Sequence, residues 1–343
     1  MIKSALSKLR WSIQSRLMRG RAFFDDSVKA FVMLAVLRPA ADWMPKNQAV
    51  ALARFFGRVL ARVTFSGREK RRLAARAFGS GKDQGPRLAE AMLSRHLLDL
   101  VVLRRYLNGL EDPETWVVEE NAELIEELRQ SNASYIVAMG HFARHATLPL
   151  YLRRIIPRNL MAIVAPEIPK SLNPRKRWLR AHYGQMLAVL QRVRPDMQLM
   201  NPGSRDLFKT LIRCLKEPGS TLIMSVDAPW DGSQAGSITR AFAGRESASF
   251  ATGTARLARL AQCPIVLCMP RVEPDGRVVL HWKKVIATPD RRDAEADITI
   301  TSLLLDEIEH AIGCRPEQYV MDILGERRWN AEQERWESPP APC

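Results

Sequence analysis

The stretch that decides the fold is residues 135–150, YIVAMGHFARHATLPL. Its first five residues, Tyr135–Met139, are all apolar or aromatic and predict a strand buried on both faces. Gly140 and His141 follow, and after them comes a run that favours helix. In open α/β folds reactive groups lie where strands end and helices begin, so chemistry is expected first at this junction.

His141 is a candidate general base because of its place at the junction. The positive end of a helix dipole favours the neutral imidazole, which is the form that accepts a proton. A histidine that only caps the following helix fits the same stretch. The stretch alone leaves both interpretations open.

Predicted strands and helices alternate on both sides of this stretch. Strands separated by helices of roughly 10–15 residues indicate βαβ units, so we predict an α/β fold with a mixed, mostly parallel sheet flanked by helices. Residues 231–244 are predicted to be a glycine-containing loop. The predicted strands are 116–119, 135–139, 160–165, 197–200, 221–226, 265–269 and 278–282, and the predicted helices are 122–130, 148–156, 173–189, 204–215, 252–261 and 298–312.

The chain ahead of the α/β part is predicted to be helical. Apolar residues recur at helical spacing in 48–63, 68–78 and 88–107, with a loop at 79–86. Residues 1–47 are a basic, amphipathic region, typical of a helix that lies on anionic lipid, although an ordinary packed helix fits as well. We therefore predict three parts: this N-terminal region, an α/β domain over 48–336 and a loose, proline-rich tail over 337–343.

The composition indicates which classes of partner the protein binds and which redox environment it faces. The net charge is +15, from 52 basic and 37 acidic residues, and such a surface attracts anions. No zinc-ligand array or RNA-binding aromatic signature accompanies the charge, so nucleic acid is not an expected partner. The five cysteines are odd in number and match no zinc pattern, which favours reduced thiols in a cytosol-facing protein. The longest early apolar run, 30–37, is far shorter than the ~20 residues that span a bilayer.

Several segments, in this order, carry a resemblance to a known family. From about residue 48 to 329 the chain resembles the bacterial lipid A biosynthesis acyltransferases, the lauroyl/myristoyl transferases of the lysophospholipid acyltransferase superfamily. Single matches are weak, but their order over most of the chain is specific. The matching residues are His141-Phe142, Asn173-Pro174 with Arg177, Asp227, Phe242 with Gly244 and Arg245, residues 251–258, Pro264–Pro270, Arg315–Tyr319 and Arg327–Trp329.

The resemblance implies a reaction and a place for it. A fatty acyl chain would pass from acyl carrier protein or coenzyme A to a hydroxyl or amine of a lipid A-type or other amphipathic acceptor, with no metal or redox cofactor. The protein would lie peripherally on the cytoplasmic face of the bacterial inner membrane. His141 would be the base, Arg177 and Arg245 would contact anionic groups, and Gly244 would let backbone N–H groups approach an oxyanion.

The chain departs from the family at one position. The family's motif places an acidic residue after four intervening residues, and counting from His141 that position is Ala146. Losing the carboxylate that orients a catalytic histidine cost about 10⁴-fold in a serine-protease triad. His145, Glu167 and Asp227 are candidate substitutes, and Asp227 is preferred because it follows a strand of the same predicted sheet.

Arg144 has two possible roles, and the function keeps two alternatives. Its cation would lower the basicity of His141, or it would hold a phosphate or carboxylate of a ligand. Because Ala146 replaces the acid, the chain could be a non-catalytic descendant that still binds acyl chains. It could also transfer acyl groups to an amine, which needs less help from a base than an alcohol does.

Overall fold

The computed structural model describes residues 20–78, 84–111, 117–142, 159–163, 177–193, 197–200, 206–228, 236–273, 277–319 and 325–338, and for 84–86, 96 and 177–182 the backbone alone. Its strands are β1 (Val117–Glu120), β2 (Tyr135–Met139), β3 (Leu160–Ile163), β4 (Gln198–Met200), β5 (Thr221–Ser225), β6 (Ser237–Phe242), β7 (Arg245–Ala251), β8 (Ile265–Val272), β9 (Val278–Ile286), β10 (Arg328–Asn330) and β11 (Arg335–Glu337).

The helices of the described residues begin with α1, a continuous helical segment over 20–43 that contains the π-helical stretch Phe31–Leu37. The others are α2 (Lys46–Val63), α3 (Phe65–Ala77), α4 (Gln84–Leu107), α5 (Glu123–Gln130), α6 (Arg177–Val193), α7 (Leu207–Leu215), α8 (Gly253–Ala261) and α9 (Ala296–Cys314). A short 3₁₀ helix, Pro316–Gln318, follows α9.

A seven-stranded sheet is the centre of the fold, in the order β1-β9-β8-β2-β5-β3-β4. Every neighbouring pair is parallel except β8 and β9, which form an antiparallel hairpin. The predicted mixed, mostly parallel α/β fold is therefore confirmed. Strand β2 has the same bounds as predicted and is buried at all five positions.

Both faces of the sheet are covered, which explains the uninterrupted apolar run of β2. Ile136 and Ala138 face one hydrophobic cluster, together with buried residues of α7, α8 and α9. Tyr135, Val137 and Met139 face the other, with residues of α5 and α6. Because successive side chains of a strand point to opposite faces, a strand between two cores has no position left for a polar residue.

The N-terminal helices form a third cluster of their own. Apolar residues of α1, α2 and α4 pack together in it, including Met33, Leu37, Leu60 and Leu100. The carboxylate of Asp25 ties α1 to α3, since its two oxygens accept the backbone N–H groups of Phe65 and Ser66 at 2.8 and 2.7 Å. Among the described residues no helix is both long enough and apolar enough to cross a membrane.

Two loop predictions are wrong. Residues 231–244 were predicted as a loop, but β6 lies within them and pairs antiparallel with β7. Polar residues occupy three of the six positions of β6, Ser237, Thr239 and Arg240, so its composition resembles that of a loop. The predicted loop 79–86 also ends early, because α4 already begins at Gln84. The division at residues 47 and 336 stays a prediction.

We expect Gly57→Ala to destabilise the protein, because α2 and α4 touch at this glycine. A Cβ there would lie 2.0 Å from Ser94 Oγ and 2.5 Å from Ser94 Cα, so helix backbone would have to move. The expected loss is about 2 kcal/mol in urea unfolding, after the higher helix propensity of alanine is included. Gly253→Ala is the matched control, since its Cβ meets nothing within 4 Å; equal effects in both variants would contradict this packing.

Candidate active site

The register between β2 and β5 determines where the candidate site forms. Met139 pairs with Ser225 at the carboxyl ends of these two parallel strands. The N–H of Val226 then donates to the carbonyl of Met139 at 3.0 Å. His141 and Asp227 each stand two residues beyond the paired positions. They therefore leave the sheet side by side, at the edge where α/β folds gather reactive groups.

His141 and Asp227 meet through two hydrogen bonds. The ring Nδ1 of His141 lies 2.6 Å from Oδ1 of Asp227, and the backbone N–H of His141 donates to Oδ2 at 2.8 Å. The Asp227 side chain is 0% exposed and that of His141 is 15% exposed. The carboxylate is thus shielded from water, whereas part of the imidazole stays accessible to a ligand.

Tyr319 is the third member of this arrangement. Its hydroxyl donates to Oδ2 of Asp227 at 2.6 Å, across 92 residues of sequence. Its backbone forms an isolated antiparallel bridge with Phe142, the neighbour of His141. The two rings also meet edge to face, with 5.1 Å between centroids. The segment after α9 is therefore held against the residues that follow β2, His141 and Phe142.

Burial and hydrogen bonding act in opposite directions on Asp227. Burial alone would raise the pKa of the carboxyl, but the charge of His141 and the three hydrogen bonds outweigh it and lower the pKa below its ordinary value of 3.8. Burial, followed by the charge of Asp227, raises the pKa of the Tyr319 hydroxyl well above 10.0. At neutral pH Asp227 is therefore an anion and Tyr319 a neutral donor.

The segment that carries Tyr319 is fixed on both sides. The side chain of Gln318 donates to the carbonyl of Val272 and accepts the N–H of the same residue, at 3.0 and 2.9 Å. The guanidinium of Arg95 donates to the carbonyl of Glu317 at 3.0 Å. Tyr319 is thus anchored to the end of β8 and to helix α4 as well as to the site.

Of the predicted binding residues, Gly244 and Arg245 lie in the described part of the chain. Arg245 opens β7 and is half-buried, and its charge lowers the pKa of Tyr319 against the larger opposing effects, so it lies within electrostatic reach of the tyrosine. Gly244 lies in the β6–β7 turn, where its carbonyl accepts the N–H of Arg327 at 3.0 Å. Its expected role near an oxyanion stays a prediction.

The remaining predicted residues lie outside the described side chains. Arg144, His145 and Glu167 fall in segments that the structure does not describe, as does Ala146. Arg177 is the first residue of α6, where only the backbone is described. Their predicted roles stay predictions.

Tyr319 has no role in the prediction from sequence, although it lies in one of the matching segments. Its contact with Asp227 joins two parts of the chain that no local pattern connects.

No group of three or more His, Cys, Asp or Glu side chains in the described ranges could hold a metal ion.

A histidine held by a buried carboxylate at the strand ends of an α/β sheet is typical of enzymes that deprotonate a nucleophile. Residues 26–329 match the model of the family described as bacterial lipid A biosynthesis acyltransferase, and the chain belongs to that family. It is therefore an acyltransferase, and the predicted family is confirmed. No curated protein matches the chain.

We expect Asp227→Asn to reduce stability in a pH-dependent way. Because the pKa of Asp227 is lower in the folded state, its stabilisation is fully present above the ordinary carboxyl pKa and is lost as pH falls through the lowered value. Near pH 7 the variant should be less stable by about 1.5–3 kcal/mol, the range for hydrogen bonds to a charged group. Urea unfolding from about pH 7 to about pH 3 measures the difference, which should shrink on acidification.

The exposed carboxylate of Asp290 provides the control. Asp290→Asn should leave the unfolding free energy within about 0.5 kcal/mol of the native chain, as is usual for surface substitutions. A loss in Asp227→Asn that stays constant with pH would contradict a stabilising, buried anion.

Proposed function

We propose that this acyltransferase moves a fatty acyl chain from an acyl thioester to a hydroxyl or amine of a lipid A-type or other amphipathic acceptor, with His141 as the general base. The observation that carries the proposal is the 2.6 Å contact between Nδ1 of His141 and Oδ1 of Asp227. With its Nδ1 proton donated to Asp227, the neutral ring carries its lone pair on Nε2, the atom that would accept the acceptor's proton.

The proposed reaction has two steps. The acceptor oxygen or nitrogen gives its proton to Nε2 of His141 while it attacks the thioester carbonyl carbon. The tetrahedral intermediate then breaks its carbon–sulfur bond, and the thiol leaves with the proton from His141. During both steps Asp227 stabilises the positively charged ring, as the aspartate of a serine protease does.

Asp227 also takes the role of the acidic residue that the family's motif has at the position of Ala146. A carboxylate at the motif position would come from the segment that follows His141, whereas Asp227 comes from the end of β5, the next strand of the sheet. Its two hydrogen bonds with His141 give the ring the orienting partner that the base needs. This contact favours catalysis over the alternative of a non-catalytic, acyl-binding descendant.

The donor and the acceptor are inferred from charge. Acyl carrier protein is acidic, and both it and coenzyme A carry a phosphate at the far end of the pantetheine arm from the thioester. A net charge of +15 attracts such donors. Arg245, within electrostatic reach of Tyr319, is the described residue best suited to an anionic headgroup of the acceptor close to the base. Arg144 and Arg177 are further predicted anion contacts.

The decisive experiment is acyl transfer by the purified protein. Acyl carrier protein and coenzyme A thioesters are offered with lipid A precursors, lysolipids and amines as acceptors. We expect kcat to fall by about 10²–10⁴-fold in His141→Ala, the usual contribution of a general base, and by a similar factor in Asp227→Asn.

His310→Ala is the matched control for these variants. His310 also lies near a carboxylate, with Nε2 3.8 Å from Glu334, but it is on the outer side of α9 and should be replaceable within about twofold. Turnover lost in His141→Ala alone would remove Asp227 from the mechanism. Acyl-chain binding without turnover for any donor would favour the non-catalytic descendant.

We also propose that the protein lies on the cytoplasmic face of the inner membrane through its N-terminal helices. Helices α2 and α3 both pack on α4, so their other sides form one outer surface. Arginines follow one another at four-residue spacing there and aromatic residues lie exposed between them. This arginine–aromatic surface consists of Arg54, Phe55, Arg58, Phe65, Arg68, Arg72 and Arg76.

The composition of this surface fits an anionic lipid headgroup region. Phe55 is 50% exposed. The guanidinium groups of Arg21 and Arg68 lie 5.1 and 4.7 Å from the centre of the Phe65 ring. Rings that enter the interface beside cations that meet phosphate are the usual anchors of peripheral proteins.

We expect Arg54→Glu/Arg58→Glu to weaken binding to vesicles with about 30% anionic lipid by at least about tenfold, since each basic residue near such a surface contributes roughly 1 kcal/mol. Flotation of vesicles with the bound protein measures the effect. Arg291→Glu/Arg292→Glu, which makes the same change of charge in an exposed loop before α9, is the control. Equal losses would mean that the whole surface charge, and not this face, holds the protein.

A further inference from the structure

The two oxygens of the Asp227 carboxylate have different partners. Oδ1 faces only the ring Nδ1 of His141 among the hydrogen bonds of the described residues. Oδ2 accepts from the hydroxyl of Tyr319 at 2.6 Å and from the backbone N–H of His141 at 2.8 Å. The carboxylate cannot rotate without giving up bonds to Oδ2, so these two donors hold Oδ1 towards the ring.

Tyr319 has little freedom to do anything else. The residue is 2% exposed, its ring packs on Phe142 and its backbone bridges the same residue. Gln318 and Glu317, the two residues before it, are hydrogen-bonded to β8 and to Arg95. The hydroxyl is therefore delivered to Oδ2 by a segment that is held by Phe142, by β8 and by Arg95.

From this geometry we infer that Tyr319 is a positioning residue for His141, acting through Asp227. Its hydroxyl holds the carboxylate in the rotamer that presents Oδ1 to the ring, and it takes up part of the negative charge. The inference rests on the proposed function for its meaning in catalysis, but the contact itself is open to measurement without turnover.

The hydroxyl has two effects on the histidine. By fixing the carboxylate it keeps the ring oriented, which favours proton transfer. By donating to Oδ2 it also draws charge away from Oδ1, so the protonated ring is stabilised less strongly than by an unshared carboxylate. Removing the hydroxyl should loosen the ring and, separately, make the protonated ring more stable.

The test compares Tyr319→Phe with Tyr135→Phe. Tyr135 is buried and pairs with Thr221 of the neighbouring strand, but it stands at the start of β2, whereas His141 follows the end of that strand. Both changes remove one buried tyrosine hydroxyl and keep the ring. In Tyr319→Phe we expect kcat to fall by roughly 10–100-fold, the range for hydrogen bonds to charged groups, with KM little changed.

The pH dependence gives a readout that a merely structural role would not move. In Tyr319→Phe the acid limb of kcat/KM and the titration of the His141 ring should both move to higher pH, and in Tyr135→Phe neither should move. Ring titration is followed by NMR of protein with ¹⁵N-labelled histidine, and the His141 signal is assigned by its absence in His141→Ala.

The NMR arm separates this inference from the proposed function. A shifted titration in a protein without turnover would support the positioning role and reject the acyl transfer. An unshifted or lowered titration in Tyr319→Phe would overturn the positioning role, whatever the activity. If Tyr319→Phe does not fold, 3-fluorotyrosine at position 319 replaces it: the stronger donor should move the titration to lower pH, and no movement would overturn the inference.

Discussion

A buried carboxylate that must be satisfied is the constraint on which the site depends. Asp227 is 1% exposed, and an ionised carboxylate at such a depth is very costly unless it is paired and hydrogen-bonded. Its partners come from two distant parts of the chain: the ring and backbone of His141 after β2, and the hydroxyl of Tyr319 after α9. Stability and chemistry therefore require the same three residues to be in the same place.

The parallel register of β2 and β5 satisfies this requirement without any special loop. Because Met139 lies opposite Ser225, two residues of chain on each strand bring His141 and Asp227 together. A carboxylate supplied from the adjacent strand does not depend on the conformation of the segment after His141. This provides a physical reason why a chain with Ala146 in the family's acidic position can still present an oriented imidazole.

Strand β2 and the preference for Asp227 could be predicted from the sequence, whereas strand β6 and the role of Tyr319 could not, for different physical reasons. Strand β2 is easy to predict because both of its faces are buried, so every position is apolar. Asp227 could be preferred because strand ends of one parallel sheet share an edge. Strand β6 was missed because half of its residues are polar and because Ala243, not the usual Asn, Asp or Gly, takes φ +48° in its turn. Tyr319 was out of reach because its partner is 92 residues away.

The two matching segments near the C-terminus, Arg315–Tyr319 and Arg327–Trp329, form a C-terminal block. This block contacts both features that the sequence analysis missed, the bond of Tyr319 to Asp227 and strand β6 with its turn. At one end Tyr319 holds Asp227. At the other end Arg327 binds the β6–β7 turn: its N–H donates to the carbonyl of Gly244 and its guanidinium to that of Ala243, both at 3.0 Å. Glu309 of α9 holds the same turn, since one of its carboxylate oxygens accepts from the N–H of Ala243 and from the guanidinium of Arg327. The turn that precedes Arg245 is therefore held by the same block that holds the carboxylate. A substitution at Tyr319 can thus disturb His141 through Asp227, and one at Arg327 can disturb Arg245 through the turn before it.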